Sequence, residues 1–218
     1  MTDFAAARLN MVDSQIRPNK VTDPLLIAAM GALPREQFVP GDRRPLAYVD
    51  EDLAIGAGRY MMEPMVLARL IQSALPEPDD IALVVGCGTG YAVAVLSRLC
   101  QTVVGLEADA GLVERASSTL VNLGIDNALI VEGPLHAGHQ KQAPYNFILF
   151  DGAVSSFPES IGDQLAEGGR MVGVLRENRG VGSATVVRNI GGILSDKLEF
   201  DANVPLLDGF QQAETFTF

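Results

Sequence analysis

Apolar residues recur at helical spacing in three segments of the first third of the chain. These segments are residues 4–16, 24–30 and 63–74, and the spacing in each is typical of one buried helix face. The second and third segments have a proline in the first helical turn, a favoured position for that residue. Residues 39–60 lie between them and are rich in Pro, Gly, Asp and Arg, so we expect a long ordered loop or short strands there.

Short continuous apolar runs alternate with helical segments from residue 80 onwards. The runs predict strands buried on both faces, at residues 81–85, 102–106, 128–131, 147–150 and 169–175. The helices predicted between them are residues 91–99, 110–123 and 158–165. Such alternation indicates a parallel sheet with right-handed crossovers. The last strand-like segments are residues 184–188, 197–200 and 215–218, and without helices between the last of them they predict an antiparallel edge.

These elements predict an α/β fold with a doubly wound, mostly parallel, Rossmann-like sheet and an N-terminal helical lobe. The chain has 218 residues, of which 48% are hydrophobic and 20% charged, so it is long and apolar enough for one compact unit with a sizeable core. Within that unit we expect residues 1–78 to form the lobe and the active-site loop. Residues 79–218 are expected to form the ligand-binding α/β domain.

Charge and cysteine content narrow the function classes. A formal net charge of −11 argues against nucleic acid, which requires a basic surface. No apolar run reaches the length of about 18 residues that a membrane helix needs, and the first residues lack the pattern of a secretory signal. Cys87 and Cys100 make no disulfide framework, so a cytoplasmic location is expected. His136 and His139 lie without nearby cysteines or paired carboxylates, so no metal site is expected.

A glycine-rich turn follows the first predicted sheet strand. Gly86, Gly88 and Gly90 alternate there, and a turn of this kind lets a ligand approach the backbone without meeting a Cβ atom. Dinucleotide folds use G-x-G-x-x-G, but here Tyr91 occupies the position of the third glycine. The G-x-G-x-G spacing is instead typical of S-adenosylmethionine sites.

Two carboxylates follow strands that end near this turn. Glu107 ends the second predicted strand, where an acidic side chain accepts hydrogen bonds from ribose hydroxyls. It does not distinguish NAD from S-adenosylmethionine, because both carry a ribose diol. Asp151 ends the fourth predicted strand and is expected to face the same crevice, where it would hold the cationic part of the ligand or orient the acceptor.

The chain resembles the protein-L-isoaspartate O-methyltransferases over residues 11–207. The resemblance rests on seven segments, at residues 11–17, 33–40, 55–58, 64–69, 86–91, 143–145 and 164–170. It implies a seven-stranded methyltransferase sheet, S-adenosylmethionine as methyl donor, and an isoaspartyl carboxylate of a protein or peptide as acceptor. Carried onto this sequence, it implies cofactor binding by Gly86, Cys87, Gly88, Thr89, Gly90, Tyr91, Glu107, Ala108, Gly133, Pro134, Leu135 and Asp151.

The chain departs from the family pattern at two positions. Met62 stands where the family has Ser or Thr, two residues before Pro64, and Pro134 replaces the Asp that contacts adenine. The first departure bears on the acceptor, so we take Met62, Arg59 and Tyr60 as the candidate catalytic positions. A free arginine at position 59 would be suited to pair a carboxylate in bidentate fashion.

Methyl transfer from a sulfonium to a carboxylate needs no general base, because a carboxylate with a pKa of about 4 is already ionised at neutral pH. Positioning of the acceptor oxygen, methyl carbon and sulfur in line supplies most of the catalysis. Three alternatives stay open: a methyltransferase with another acceptor, an NAD-binding oxidoreductase, and a cofactor-binding module without catalysis.

Overall fold

The computed structural model of the chain describes residues 3–177 and 180–210. The helices are α1 (Phe4–Met11), α2 (Pro24–Ala32), α3 (Pro64–Ala74), α4 (Tyr91–Leu96), α5 (Ala110–Asn122) and α6 (Glu159–Gly162). The strands are β1 (Leu53–Gly56), β2 (Arg59–Met61), β3 (Ile81–Val85), β4 (Thr102–Glu107), β5 (Ala128–Glu132), β6 (Tyr145–Val154), β7 (Leu165–Leu175), β8 (Gly182–Ile190) and β9 (Ile193–Ala202). No helix among the described residues is both long and apolar enough to span a membrane.

The main sheet has seven strands in the order β5-β4-β3-β6-β7-β8-β9. The strands from β5 to β7 are parallel, and β8 and β9 continue the sheet antiparallel. This order confirms the predicted doubly wound, mostly parallel sheet with an antiparallel edge. Successive strands are added on one side of β3 up to β5 and on its other side from β6 onwards, so the strand order reverses between β3 and β6. Ligands of such sheets bind at the carboxyl ends of the strands on either side of that point.

One cluster of buried residues joins the N-terminal part of the chain to the sheet. Met11, Leu26 and Met30 from the N-terminal segments share this cluster with Val84 of β3 and Leu149 of β6. Helix α3 adds a strongly amphipathic face that packs on β6, β7 and β8. The predicted boundary near residue 78 therefore crosses a continuous core; it stays a prediction.

Residues 53–61 form a two-stranded sheet of their own. Strands β1 and β2 pair antiparallel and are joined by a turn in which Gly56, Ala57 and Gly58 all have positive φ. This hairpin fulfils the expectation of short strands in the Gly- and Pro-rich stretch. It packs against the carboxyl end of the main sheet, and among the described residues its strands form no backbone ladder with the strands of that sheet.

Buried hydrogen bonds and an ion pair hold the end of α3 against the sheet. The guanidinium of Arg170 on β7 donates two hydrogen bonds to Asp80, at 2.7 and 3.0 Å, and others to the carbonyl oxygens of Ala74 and Leu75 at the end of α3. All of these groups lie beneath the sheet end opposite the glycine turn. In an ion pair this deeply buried, removal of either residue would leave the charge of the other without compensation.

Several predicted boundaries were wrong, among them the end of α4, the extent of α6 and the start of β7. Helix α4 ends at Leu96, because Arg98 and Leu99 donate to carbonyl oxygens three residues earlier and the chain tightens into turns before residue 99. Helix α6 spans four residues rather than residues 158–165. It stops there because the Gln164 carbonyl oxygen accepts a hydrogen bond from Tyr145 N–H at the start of β6, so β7 begins at Leu165 instead of residue 169. The strand predicted at residues 215–218 lies outside the described residues.

Candidate active site

The glycine turn lies at the carboxyl end of β3, as its sequence predicts. Gly86, Gly88 and Gly90 have φ values of 76°, 54° and 91°, a region that residues with a Cβ atom rarely adopt. The amide groups of Gly86 and Cys87 both donate to the carbonyl oxygen of Leu106 on β4, at 2.8 and 3.1 Å. The turn is therefore hydrogen-bonded to the neighbouring strand β4, which ends at Glu107.

The carboxylate of Glu107 is 1% exposed and faces the glycine turn. Its Oε2 atom accepts a hydrogen bond from Gly88 N–H at 2.8 Å, and Oε1 accepts from Ala108 N–H at 2.8 Å and Asp109 N–H at 3.3 Å. About one acceptor site, on Oε2, remains for a further donor such as a ribose hydroxyl. The remaining charge of this carboxylate is compensated by an arginine of the same chain.

That arginine is Arg59 on β2, whose side chain runs into the crevice. Its Nη2 atom donates to the carbonyl oxygen of Gly86 at 2.6 Å and lies 3.2 Å from Glu107 Oε2. A Cβ atom added at Gly86 would collide with the same Nη2 atom. Arg59 is 6% exposed, and its Nε atom has no hydrogen-bond partner among the described residues. The guanidinium thus fills part of the space that the glycines leave open.

Two aliphatic side chains cover the rest of the glycine turn. A Cβ atom added at Gly88 would lie 2.6 Å from Cδ1 of Ile55, and one added at Gly86 would lie 3.0 Å from Cδ2 of Leu207. The open space that remains is a cavity of about 230 Å³ beside Glu107, lined by residues that include Ala108, Leu135 and Asp208. Clefts that hold a whole cofactor usually measure about 300–1,000 Å³.

A second, much smaller cavity of about 10 Å³ lies on the other side of Arg59 and is lined by Asp52, Tyr60, Met62 and Asp151, among others. Its size admits about one water molecule. Met62, the position of the family Ser or Thr, is buried here, whereas Tyr60 is 43% exposed. The three candidate catalytic positions therefore surround one cavity.

Asp151 is buried at this cavity, and its Oδ1 atom has no hydrogen-bond partner within residues 3–177 and 180–210. Burial raises the pKa of Asp151 to about 7, against the opposing attraction of Arg59 and Arg35 and with a further rise from Glu107. Burial also raises the pKa of Asp52. Contact between Asp151 and the cationic part of a ligand stays a prediction.

The opposite side of the glycine turn packs against the N-terminal lobe. The hydroxyl of Thr89 donates to the carbonyl oxygen of Phe38 at 2.6 Å, and the ring of Tyr91 contacts the ring of Phe38 edge-on at 5.3 Å between centroids. Arg35 lies over the Tyr91 ring at 4.6 Å and donates to the carbonyl oxygen of Met62 at 2.6 Å. The side chains of Thr89 and Tyr91 therefore hold the turn against the lobe; their predicted contact with a cofactor stays a prediction.

Of the remaining predicted positions, Ala108 and Leu135 line the cavity of about 230 Å³. Gly133 N–H donates to the backbone carbonyl oxygen of Glu107 at 3.0 Å, which places residues 133–135 beside β4. Leu135 reaches the cavity wall. Cys87 is buried beneath the turn, and burial raises the pKa of its thiol well above the usual value, which disfavours the thiolate form; its predicted contact with a cofactor stays a prediction.

Three of the residues that shape the crevice were not predicted individually from the sequence, although two of them lie in segments that carry the family resemblance. Leu207 follows β9 and is brought to the turn by pairing with Ala153, and Ile55 and Arg35 reach it from the first third of the chain. These contacts join residues separated by about 30 to 120 positions, and no local pattern encodes them.

Comparison with known proteins supports the similarity seen in the motifs. The family model "Protein-L-isoaspartate(D-aspartate) O-methyltransferase (PCMT)" matches residues 7–209. A protein-L-isoaspartate O-methyltransferase of Koribacter versatilis is 40% identical over 172 residues, which are 79% of this chain and 78% of that protein. A relative of the same name from Methylorubrum populi is also 40% identical, over 79% of this chain and 80% of its own length.

Two solved structures share the fold. One, a protein-L-isoaspartate O-methyltransferase, has a TM-score of 0.81 at 24% identity and covers 93% of this chain and 66% of its own. The other is a Plasmodium falciparum protein assigned to the same activity and solved with S-adenosyl-L-homocysteine. Its TM-score is 0.78 at 19% identity, with 95% of this chain and 99% of that chain covered.

Proposed function

Because the chain belongs to the protein-L-isoaspartate O-methyltransferase family, we propose that it transfers a methyl group from S-adenosylmethionine to an isoaspartyl carboxylate of a protein. One observation carries this proposal: the glycine turn and the Glu107 carboxylate are joined by a 2.8 Å hydrogen bond at the carboxyl ends of β3 and β4. The family match, together with the G-x-G-x-G spacing, favours this cofactor over NAD. The substrate and cofactor named for the relatives are extended here to this chain.

The donors and acceptors in the crevice fit the chemistry of this cofactor. Glu107 would accept a hydrogen bond from a ribose hydroxyl, the three glycines would lie against the methionine part, and the unpartnered Oδ1 of Asp151 would accept from its ammonium group. The bound cofactor supplies an electrophilic methyl group on a positively charged sulfur. In the described conformation, however, Arg59, Ile55 and Leu207 occupy much of this space.

The protein's part in the reaction is positioning and exclusion of water. With the cofactor bound, transfer of its methyl group to the acceptor carboxylate oxygen would break the carbon–sulfur bond and would leave that bond's electron pair on a neutral sulfur. No proton moves, so none of the carboxylates needs to act as a base. Met62 provides an apolar wall where the family has a hydroxyl group. A lost hydrogen bond of that kind is worth about 0.5–1.5 kcal/mol, which slows turnover without abolishing it.

A methylation assay with labelled S-adenosylmethionine tests the proposal. A peptide containing one isoaspartyl residue should be labelled, and the same peptide with an ordinary aspartyl residue should not. Glu107→Gln should weaken binding of S-adenosylhomocysteine, because a neutral amide accepts from only one of its two ends. The matched control is Glu132→Gln, an exposed carboxylate that pairs with Glu107 in register on β5. Equal binding by wild type and E107Q, or absence of any binding by wild type, would contradict the proposal.

One observation favours a second candidate, a protein that binds the cofactor without transferring its methyl group. The loop hydroxyl is replaced by a buried Met62, and the glycine turn is covered by side chains. This candidate predicts binding of S-adenosylhomocysteine together with no labelling of either peptide. Restoration of labelling by Met62→Ser would argue for a lost hydroxyl within an otherwise intact site.

We also propose a cytoplasmic location. Both cysteines are free and buried, which suits a reducing compartment.

A further inference from the structure

We propose that Arg59 regulates the site by competing with the cofactor's nucleoside for Glu107 and the glycine turn. The proposal rests on the proposed function, since it concerns the same cofactor site. It assigns to the β1–β2 hairpin, residues 53–61, the role of a plug that must withdraw before the cofactor binds.

The contacts of Arg59 are those a ligand would make. Its Nη2 atom donates to the Gly86 carbonyl oxygen at 2.6 Å and neutralises Glu107 from 3.2 Å. Glu107 already accepts three backbone hydrogen bonds, which leaves about one of its four acceptor sites, and this site is on the Oε2 atom that Arg59 faces. Both donors cannot be accommodated at the same atoms, and the two binding modes are therefore mutually exclusive.

Charge adds to this competition. A guanidinium that lies against the glycine turn repels the positive sulfur of S-adenosylmethionine more than the neutral sulfur of S-adenosylhomocysteine, in a crevice where burial reduces screening by water. The difference in affinity between S-adenosylmethionine and S-adenosylhomocysteine therefore reports whether the Arg59 guanidinium lies against the glycine turn. Displacement of Arg59 should favour the sulfonium form more than the thioether form.

The buried side chain of Arg59 does not make all of its hydrogen bonds. Its Nε atom is buried, and no partner for it is found in the described part of the chain. A buried donor without a partner costs free energy. The described conformation of Arg59 is therefore less stable than one in which every N–H group of the guanidinium had a partner. The hairpin that carries it forms a separate two-stranded sheet, with three positive φ values in succession at its turn. Ile55 on the same hairpin covers Gly88, so withdrawal of one element would uncover two parts of the site.

Titration calorimetry with S-adenosylhomocysteine on the full chain tests the proposal. Arg59→Gln should tighten binding by about tenfold to a hundredfold, because it removes a charged competitor for a buried carboxylate. Arg59→Lys keeps the positive charge and should stay closer to wild type. The matched control is Arg98→Gln, which changes an exposed arginine and should leave the dissociation constant unchanged. The tightening in R59Q should be larger when S-adenosylmethionine replaces S-adenosylhomocysteine.

The outcomes separate the two proposals. Equal or weaker binding by R59Q, with measurable binding by wild type, would overturn the competition and leave the proposed function standing. Absence of binding by wild type and R59Q alike would overturn both. Hydrogen–deuterium exchange of wild type provides a second measurement if R59Q does not fold. Saturating S-adenosylhomocysteine should then accelerate exchange of the hairpin amides, and unchanged or slower exchange there would overturn the proposal.

Discussion

Replacement of Asp151 by asparagine should change how the stability of this protein depends on pH. Burial raises the pKa of Asp151 to about 7, whereas an aspartate in an unfolded chain has a pKa of about 3.9. Between these values the folded protein keeps a proton that the unfolded chain has released. The free energy of unfolding should therefore fall as pH rises through this window. Asparagine has nearly the same shape and carries no charge at any of these pH values.

The expected size follows from the width of the window. Between pH 4.5 and pH 8, about 2.5 pH units of the shift are crossed, at about 1.4 kcal/mol per unit, or about 3.5 kcal/mol in all. Asp151→Asn should thus be close to wild type in stability at pH 4.5 and more stable than wild type by about 3.5 kcal/mol at pH 8. Glu63, whose pKa is raised to about 7 by burial and its acidic neighbours, contributes in the same direction to both proteins and cancels in the difference.

Urea denaturation followed by circular dichroism at pH 4.5, 6 and 8 measures this difference. Asp126→Asn, a substitution at an exposed position, is the control and should show a stability difference that does not vary with pH. A difference between D151N and wild type that stays constant from pH 4.5 to 8 would refute the assignment of a protonated Asp151. It would show that Arg35 and Arg59 keep the carboxylate ionised throughout.

Three further predictions concern other parts of the structure. Arg170→Met should lower the free energy of unfolding by about 3–5 kcal/mol in urea, because it leaves the Asp80 carboxylate buried without its charge partner; a loss below about 1 kcal/mol would show that water replaces the guanidinium. Met62→Ser should raise the rate of isoaspartyl methylation by up to about tenfold through one restored hydrogen bond, and an unchanged rate would show that the hydroxyl is not what limits turnover. Cys87 and Cys100 are buried, and burial raises the pKa of the Cys100 thiol to about 12, so neither should react with a thiol reagent at pH 8 until the protein is denatured; rapid labelling of the native protein would contradict their burial.

Most of the sheet was predictable from the sequence because its central strands are continuous apolar runs. Residues 81–85 and 102–106 have few polar positions, and burial on both faces is the condition that such runs satisfy. The glycine turn and Glu107 were predictable for a related reason, since chain order and parallel topology place them at the same end of the sheet. Boundaries set by single hydrogen bonds, such as the end of α6, were not.

The state of the crevice was not predictable from local sequence. Arg59 was interpreted as a residue that faces an acceptor, and its pairing with Glu107 depends on the path of a hairpin that is separate from the sheet. Leu207 reaches Gly86 from a segment that follows the last strand. Both contacts arise from the tertiary arrangement, in which distant segments compete for one buried space, and neither has a sequence periodicity of its own.

The buried guanidinium of Arg35 has a consequence for dissection of the protein. Arg35 donates hydrogen bonds to the backbone oxygens of Ala47 and Met62, and its guanidinium lies over the ring of Tyr91. It therefore links the first third of the chain to the helix that follows the glycine turn. A fragment that starts at residue 79 would lose this link and expose the apolar surface beneath it. Isolated catalytic halves should therefore aggregate on expression, and the intact protein should melt in one calorimetric transition.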